Sequence, residues 1–68
     1  MFMSKRHSPA KKLEIAKKLI EYRKKHNMTQ EELARVVNGS VFSVSRWERA
    51  KHYPTSSALK LMKIAGVL

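Results

Sequence analysis

The sequence has no cysteine and no aspartate, and it contains only two glycines and two prolines. Without cysteine, neither a disulfide framework nor a Cys-ligated zinc site can form. A chain of 68 residues has a small core, so its stability has to come from regular local structure, most simply from compact helices. No apolar run approaches the roughly 18 residues that span a bilayer, and the start of the chain lacks the apolar segment of a signal peptide. We therefore expect one soluble, intracellular domain.

Positive charge is what the sequence has in excess. Fifteen Lys and Arg residues face five Glu residues, for a formal net charge of +10, and hydrophobic residues make up 43% of the chain. This apolar content is too high for a disordered polycation, so the partner of a folded basic domain is expected to be DNA, RNA or an anionic membrane surface. The excess lies mostly in residues 1–28, whereas residues 29–50 are neutral. Binding by the middle of the chain must therefore depend on geometry.

Residues 8 to about 26 are predicted to form the first helix, preceded by a basic arm at residues 1–7. Ser8 is a good N-cap, and Pro9 is favoured at the first helical position. Arg23 lies near the middle of the apolar stripe of this helix, where an unpaired guanidinium is costly to bury. It either extends to the edge of the stripe or pairs with an acidic residue elsewhere. The apolar stripe consists of Leu13, Ala16, Leu19 and Ile20.

A short second helix, over about residues 30–37, has the clearest local signal in the chain. Thr29 and Glu32 have the spacing of a capping box, in which each side chain binds the backbone N–H of the other residue. The helix is followed by Asn38 and Gly39, which tolerate positive φ. The second helix is therefore expected to end in a tight corner.

Ser40 is predicted to cap a third helix of about residues 41–49. Only about three residues separate it from the second helix, which is the length of a helix-turn-helix corner. Val44 and Trp47 have helical spacing on one face and are assigned to the core.

A fourth helix is predicted to follow a basic loop. Pro54 disfavours helical geometry at the residue before it, Thr55 or Ser56 can cap the next helix, and Gly66 is a natural helix end. The apolar residues of this helix are Ala58, Leu59, Leu61, Met62 and Ala65.

Two segments, TQEELA from Thr29 and SRWER from Ser45, resemble the phage-repressor or Xre-type helix-turn-helix family. The resemblance covers about residues 13–67, and the stretch from Thr29 to Glu48 corresponds to the twenty-residue helix-turn-helix unit without gaps. It implies an all-α, lambda-repressor-like domain over residues 8–68, with four or five compact helices. In such a domain the third helix enters the major groove of DNA and the second lies across the backbone.

The resemblance also implies roles for particular residues. Gln30 would hold a phosphate and brace the first residue of the recognition helix. Arg23 and Glu48 match an ion pair of the family, which supplies an acidic partner for Arg23. Base-reading positions are occupied by Val41, Phe42 and Arg46, with Ser43 and Ser45 beside them, and phosphate-contacting positions by Ser40, Arg49, Lys51 and His52.

The sequence departs from the family pattern at the ends of the second and third helices. The family usually has glycine where Asn38 stands and an apolar residue where Gly39 stands, so Gly39 leaves a space beneath the corner. Either Val41 or Phe42 folds inward to fill that space, or the corner shifts by one residue. Ala50 replaces the usual glycine after the third helix, so we expect a different helix end there.

Several binding roles have alternatives at this point. Val41 and Phe42 can contact thymine methyl groups, but Phe42 can instead repair the core beneath the corner. Arg46 can read guanine through two hydrogen bonds or hold a phosphate. Lys5 and Arg6 of the arm either contact the DNA backbone or a groove, or are simply solvated.

We expect a sequence-specific regulator of transcription that binds double-stranded DNA, most simply a repressor that occupies an operator. A homodimer would require two half-sites one helical turn apart. The alternative is an antitoxin-type or adaptor module that binds DNA and also a protein partner, such as a toxin or another regulator. A membrane role for the first helix is weaker, because the domain needs its apolar stripe.

An enzyme is not expected, because the hydroxyl groups lack an accompanying base and orienting carboxylate. No cofactor is expected either, and the three histidines are too far apart along the chain for a metal site. We expect a cytoplasmic, DNA-associated protein that is encoded by a bacterium or a phage.

Overall fold

The computed structural model describes residues 9–68, which form four α-helices and no strand. None of these helices is long and apolar enough to cross a membrane. The arm at residues 1–7, with Lys5 and Arg6, and the predicted cap Ser8 lie outside the described residues. The all-α fold is confirmed, with four helices: α1 (Pro9–Lys25), α2 (Gln30–Val36), α3 (Val41–Glu48) and α4 (Ser56–Ala65).

The starts of α2, α3 and α4 are each capped by the side chain of the preceding residue. The Thr29 hydroxyl accepts a hydrogen bond from the Glu32 N–H at 3.1 Å, and the Glu32 carboxylate accepts one from the Thr29 N–H at 2.8 Å. The hydroxyls of Ser40 and Thr55 each accept from the backbone N–H three residues later. The predicted capping box and the cap of α3 are confirmed, and Thr55 is the residue that caps α4.

All four helices end in a Schellman motif. One or two positions after each helix a residue has a left-handed backbone, and the N–H of the residue that follows it donates to a carbonyl oxygen five positions earlier, at 2.8–3.0 Å. Asparagine and glycine tolerate this backbone, whereas the Cβ of alanine makes it unfavourable by about 1–2 kcal/mol. The expectation of a different helix end at Ala50 is therefore wrong, because α3 ends as the other helices do, with backbone strain at Ala50. The left-handed residues are Asn27, Asn38, Ala50 and Gly66.

The core is built by one fully buried residue from each helix, together with the indole of Trp47. α3 packs against both α1 and α2, and α2 packs against α4. The resemblance implies that α3 is the recognition helix. Its inner face packs against α1 and α2. The fully buried residues are Leu19, Leu33, Val44 and Met62, together with Val37, which directly follows α2.

The buried face of α1 differs from the predicted one at its beginning. Leu13 is 50% exposed, and Ile15 is buried in its place. At 100° per residue, Leu13 and Ile15 lie on opposite sides of Leu19. The Tyr22 hydroxyl, on the Ile15 side, donates to the carbonyl oxygen of Ala65 at 3.4 Å. Packing near the end of α4 thus rotates the buried face of α1 toward Ile15.

Neither Val41 nor Phe42 fills the space left by Gly39. Val41 is 43% exposed and Phe42 is 72% exposed, so the interpretation of Phe42 as a core residue is wrong. A Cβ built on Gly39 would lie 3.4 Å from Cη2 of Trp47, in ordinary contact with the ring that covers this side of the corner. The corner does not shift either, because Asn38 takes the left-handed position that the family gives to glycine.

An ion pair joins the end of α1 to the last residue of α3. Arg23 Nε donates to Glu48 Oε2 at 2.6 Å, and Arg23 Nη2 donates to Glu48 Oε1 at 3.0 Å. Arg23 Nη1 also donates to the carbonyl oxygen of Met28 at 3.2 Å, in the connection to α2. The hydrogen bonds to Glu48 raise the pKa of Arg23, and charge attraction adds to this while burial opposes it. The predicted pairing is confirmed, with side-chain exposures of 24% for Arg23 and 6% for Glu48.

We predict that Ala50→Gly stabilises the domain by about 0.5–1 kcal/mol, because glycine removes the left-handed strain but gives the unfolded chain more freedom. Gly66→Ala is the matched opposite change, at a left-handed position where an added Cβ meets open space. It should destabilise the domain by a similar amount. Urea unfolding of both variants measures the effect, and a loss of stability in Ala50→Gly would contradict the strain at this position.

We predict that Arg23→Met and Glu48→Gln each lower the free energy of unfolding by about 1–3 kcal/mol, because each leaves a poorly exposed charged partner unpaired. The double variant should lose clearly less than the sum of the two single losses, because the two side chains interact directly. The three variants complete a double-mutant cycle by urea unfolding. Additive losses would show that the pair contributes no coupling energy.

Candidate nucleic-acid interface

The outer face of α3 is formed by side chains that the core does not use. Because Val44 and Trp47 face inward, the residues between and before them are left on the outside of the helix. This face brings together all five of the predicted base-reading residues. Val41, Phe42 and Arg46 are exposed on it, and Ser43 and Ser45 are half-buried beside them.

The serines around the start of α3 are engaged in local hydrogen bonds. The Ser40 hydroxyl accepts from the Ser43 backbone N–H and donates to the Ser43 hydroxyl oxygen, both at 3.1 Å. The Ser45 hydroxyl oxygen accepts from Arg49 Nη2 at 3.3 Å. These contacts order the serines before any ligand arrives, and the hydroxyl of Ser43 keeps a proton that it can donate outward.

The two arginines on the outer face of α3 are held in different ways. Arg49 is restrained by its hydrogen bond to Ser45. The guanidinium carbon of Arg46 instead lies 5.3 Å from the centre of the Phe42 ring, one helical turn earlier. This distance is within the range of a cation–π interaction. The spacing of four residues on one helix is a signal for this contact that is present in the sequence.

Gln30 connects the first residue of α2 to the far end of α3. Its side-chain amide nitrogen donates to Glu48 Oε1 at 2.9 Å, so the Glu48 carboxylate accepts from both Gln30 and Arg23. The resemblance implied that Gln30 braces the first residue of the recognition helix. In the structure it braces the last one, because the Glu48 carboxylate stands beside the start of α2.

This network changes the charge of the outer face of α3. Glu48 is the only acidic residue of α3, and it is 6% exposed and paired with Arg23 of α1. Arg46 and Arg49 are both exposed. Although residues 29–50 are neutral in sum, the exposed part of α3 therefore carries positive charge only. An anion that approaches α3 meets no competing carboxylate on this helix.

Two residues of the loop after α3 hold it against the core. Pro54 is buried and Tyr53 packs against the core, while Lys51 and His52 before them are exposed. The loop therefore presents two polar side chains beside the end of the recognition helix. Gln30 lies at the same end of α3, since it binds Glu48.

The described residues thus bring the predicted site together on α3, at the start of α2 and in the loop that follows α3. The exposed lysines of α1 lie outside this group, on a helix whose opposite face packs against α3. They give α1 an exposed positive charge. These exposed lysines are Lys11, Lys17, Lys18, Lys24 and Lys25.

The family model HTH_3, described as helix-turn-helix, matches residues 19–68 of this chain. The match covers more than half of the chain and includes the whole of α2, α3, the following loop and α4. No curated protein and no solved structure gives a significant match. The chain belongs to the helix-turn-helix family, of the Xre and lambda-repressor type.

Proposed function

We propose that this protein is a sequence-specific regulator of transcription that binds double-stranded DNA and acts as a repressor by occupying an operator. The observation that carries the proposal is the outer face of α3. This face combines exposed apolar side chains and half-buried serines with two exposed arginines, while its one carboxylate is 6% exposed and bound by Arg23 and Gln30. Exposed cations without an exposed carboxylate beside them favour binding to the phosphate backbone.

The dimensions of α3 suit the major groove. An α-helix with its side chains is about 10–12 Å in diameter, and the major groove of B-form DNA is about 12 Å wide. With α3 in the groove, Gln30 and the loop at Lys51 and His52 flank the helix and meet the phosphate backbone. The second N–H of the Gln30 amide is free of the Glu48 contact and can donate to a phosphate oxygen.

Each contact residue then has one of two roles. Arg46 donates to O6 and N7 of guanine through its guanidinium edge, and the apolar side chains contact thymine methyl groups. The remaining residues fix the position of the domain on the duplex without reading its sequence. Val41, Phe42, Ser43, Ser45 and Arg46 face the bases, whereas Gln30, Ser40, Arg49, Lys51 and His52, together with Lys5 and Arg6 of the arm, hold phosphates.

Selection of bound sequences from a random duplex pool, at about 150 mM salt, tests this function directly. We expect one shared motif, and two copies about 10 base pairs apart if the protein binds as a homodimer. A scrambled duplex of the same composition should bind at least about a thousandfold more weakly. Equal binding of selected and scrambled duplexes would contradict sequence-specific recognition.

Purification of the protein from the cell that encodes it distinguishes a repressor from an antitoxin-type or adaptor module. A repressor of the proposed kind binds its site as the isolated chain. The alternative requires a protein partner, such as a toxin, that co-purifies with the chain from the cell that encodes it.

We predict that replacing both Lys5 and Arg6 by alanine flattens the dependence of log K on log salt by about 0.9 for each lost phosphate contact. The matched control replaces Lys17 and Lys24, two exposed lysines of α1, and removes the same net charge. The control should leave the slope unchanged, because these lysines lie outside the proposed contact surface. Equal slopes for the two double variants would assign the arm no phosphate contact.

A further inference from the structure

We propose that Phe42 is a positioning residue for Arg46, and that the discrimination of guanine by Arg46 depends on the Phe42 ring. The ring holds the guanidinium over its face before DNA is bound. This inference rests on the proposed function, because it takes Arg46 as a base-reading residue. It goes further in giving the exposed aromatic residue of α3 a role that is separate from its own contact with a base.

The geometry places the two side chains in direct contact on the outer face of α3. Phe42 and Arg46 are four residues apart and therefore lie on the same side of the helix. The guanidinium carbon of Arg46 lies 5.3 Å from the ring centre, inside the distance of about 6 Å for a cation–π interaction. Within residues 9–68, this ring is the one group seen to interact with the guanidinium of Arg46.

The way in which Arg46 is held leaves its hydrogen-bonding edge available. A carboxylate partner uses N–H groups of the guanidinium, as Glu48 uses Nε and Nη2 of Arg23. An aromatic ring attracts the cation through its π-face and takes none of the five N–H donors in the plane of the guanidinium. Arg46 can therefore be restrained by Phe42 and still donate two parallel hydrogen bonds to a guanine.

Restraint before binding matters because an arginine side chain has many rotamers. A free arginine loses this rotational freedom when it binds a base, and the loss opposes binding. A side chain that is already stacked on a ring loses less. The exposure of Phe42, at 72%, indicates that the core does not require this ring. Phe42 can therefore be changed without disturbing the fold.

The experiment uses the full chain and the duplex selected by the wild-type protein, with a set of duplexes in which each base pair is substituted in turn. The base pair read by Arg46 is the one at which Arg46→Ala loses discrimination. Phe42→Leu keeps an apolar side chain for a thymine methyl group but removes the ring, whereas Phe42→Tyr keeps the ring.

We expect Phe42→Leu to lower discrimination at the Arg46 base pair by about two- to fivefold, the range given by exposed cation–π contacts. Phe42→Tyr should restore it. Introduced into the Arg46→Ala variant, Phe42→Leu should leave discrimination at this base pair unchanged, because the residue that Phe42 positions is absent. Circular dichroism of each variant serves as the control for folding.

Two other results would each overturn a different statement. If Phe42→Leu alters discrimination only at a base pair other than that of Arg46, Phe42 contacts DNA by itself and the positioning role is wrong, while the proposed function stands. If Arg46→Ala weakens every duplex equally, Arg46 holds a phosphate. The base-reading role assigned to Arg46 is then wrong, and with it the inference about Phe42.

Discussion

The contact on which the rest of this small domain depends is the pairing of Arg23 with Glu48. It joins the end of α1 to the end of α3, and through Gln30 and the carbonyl oxygen of Met28 it also fixes the start of α2. The Glu48 carboxylate accepts three hydrogen bonds and is nearly removed from solvent. In a chain without disulfides, one polar network thus connects the three helices around the corner.

This pairing also decides the electrostatics of the outer surface. A carboxylate exposed at the end of α3 would repel the phosphates that flank any groove the helix enters. Glu48 is poorly exposed because it pairs with Arg23 of α1. Arg46 and Arg49 therefore have no exposed acidic neighbour on α3. Arg23 of α1 therefore changes the net charge of the exposed surface of α3, although the two helices are separated along the chain.

The two exposed arginines are held by different neighbouring side chains. Arg49 is hydrogen-bonded to Ser45, which uses one of its donors, whereas Arg46 rests on the ring of Phe42, which uses none. The end of α3 carries backbone strain, because Ala50 adopts the left-handed backbone that ends the helix. The geometry of the helix end is kept even though the residue there is unfavourable for it.

The sequence by itself determined the helices, because capping residues such as Thr29 and Ser40 act on backbone groups within a single turn. It also required a partner for Arg23, and the resemblance to a family pointed to Glu48. Only the tertiary structure decided what depends on distances between elements. It placed Phe42 outside the core, moved the Gln30 contact to the end of α3 and turned α1 toward Ile15 in place of Leu13. The spacing of apolar residues predicts the buried face of a helix to within a residue or two. Which residues within that range are buried depends on the helices that pack against it.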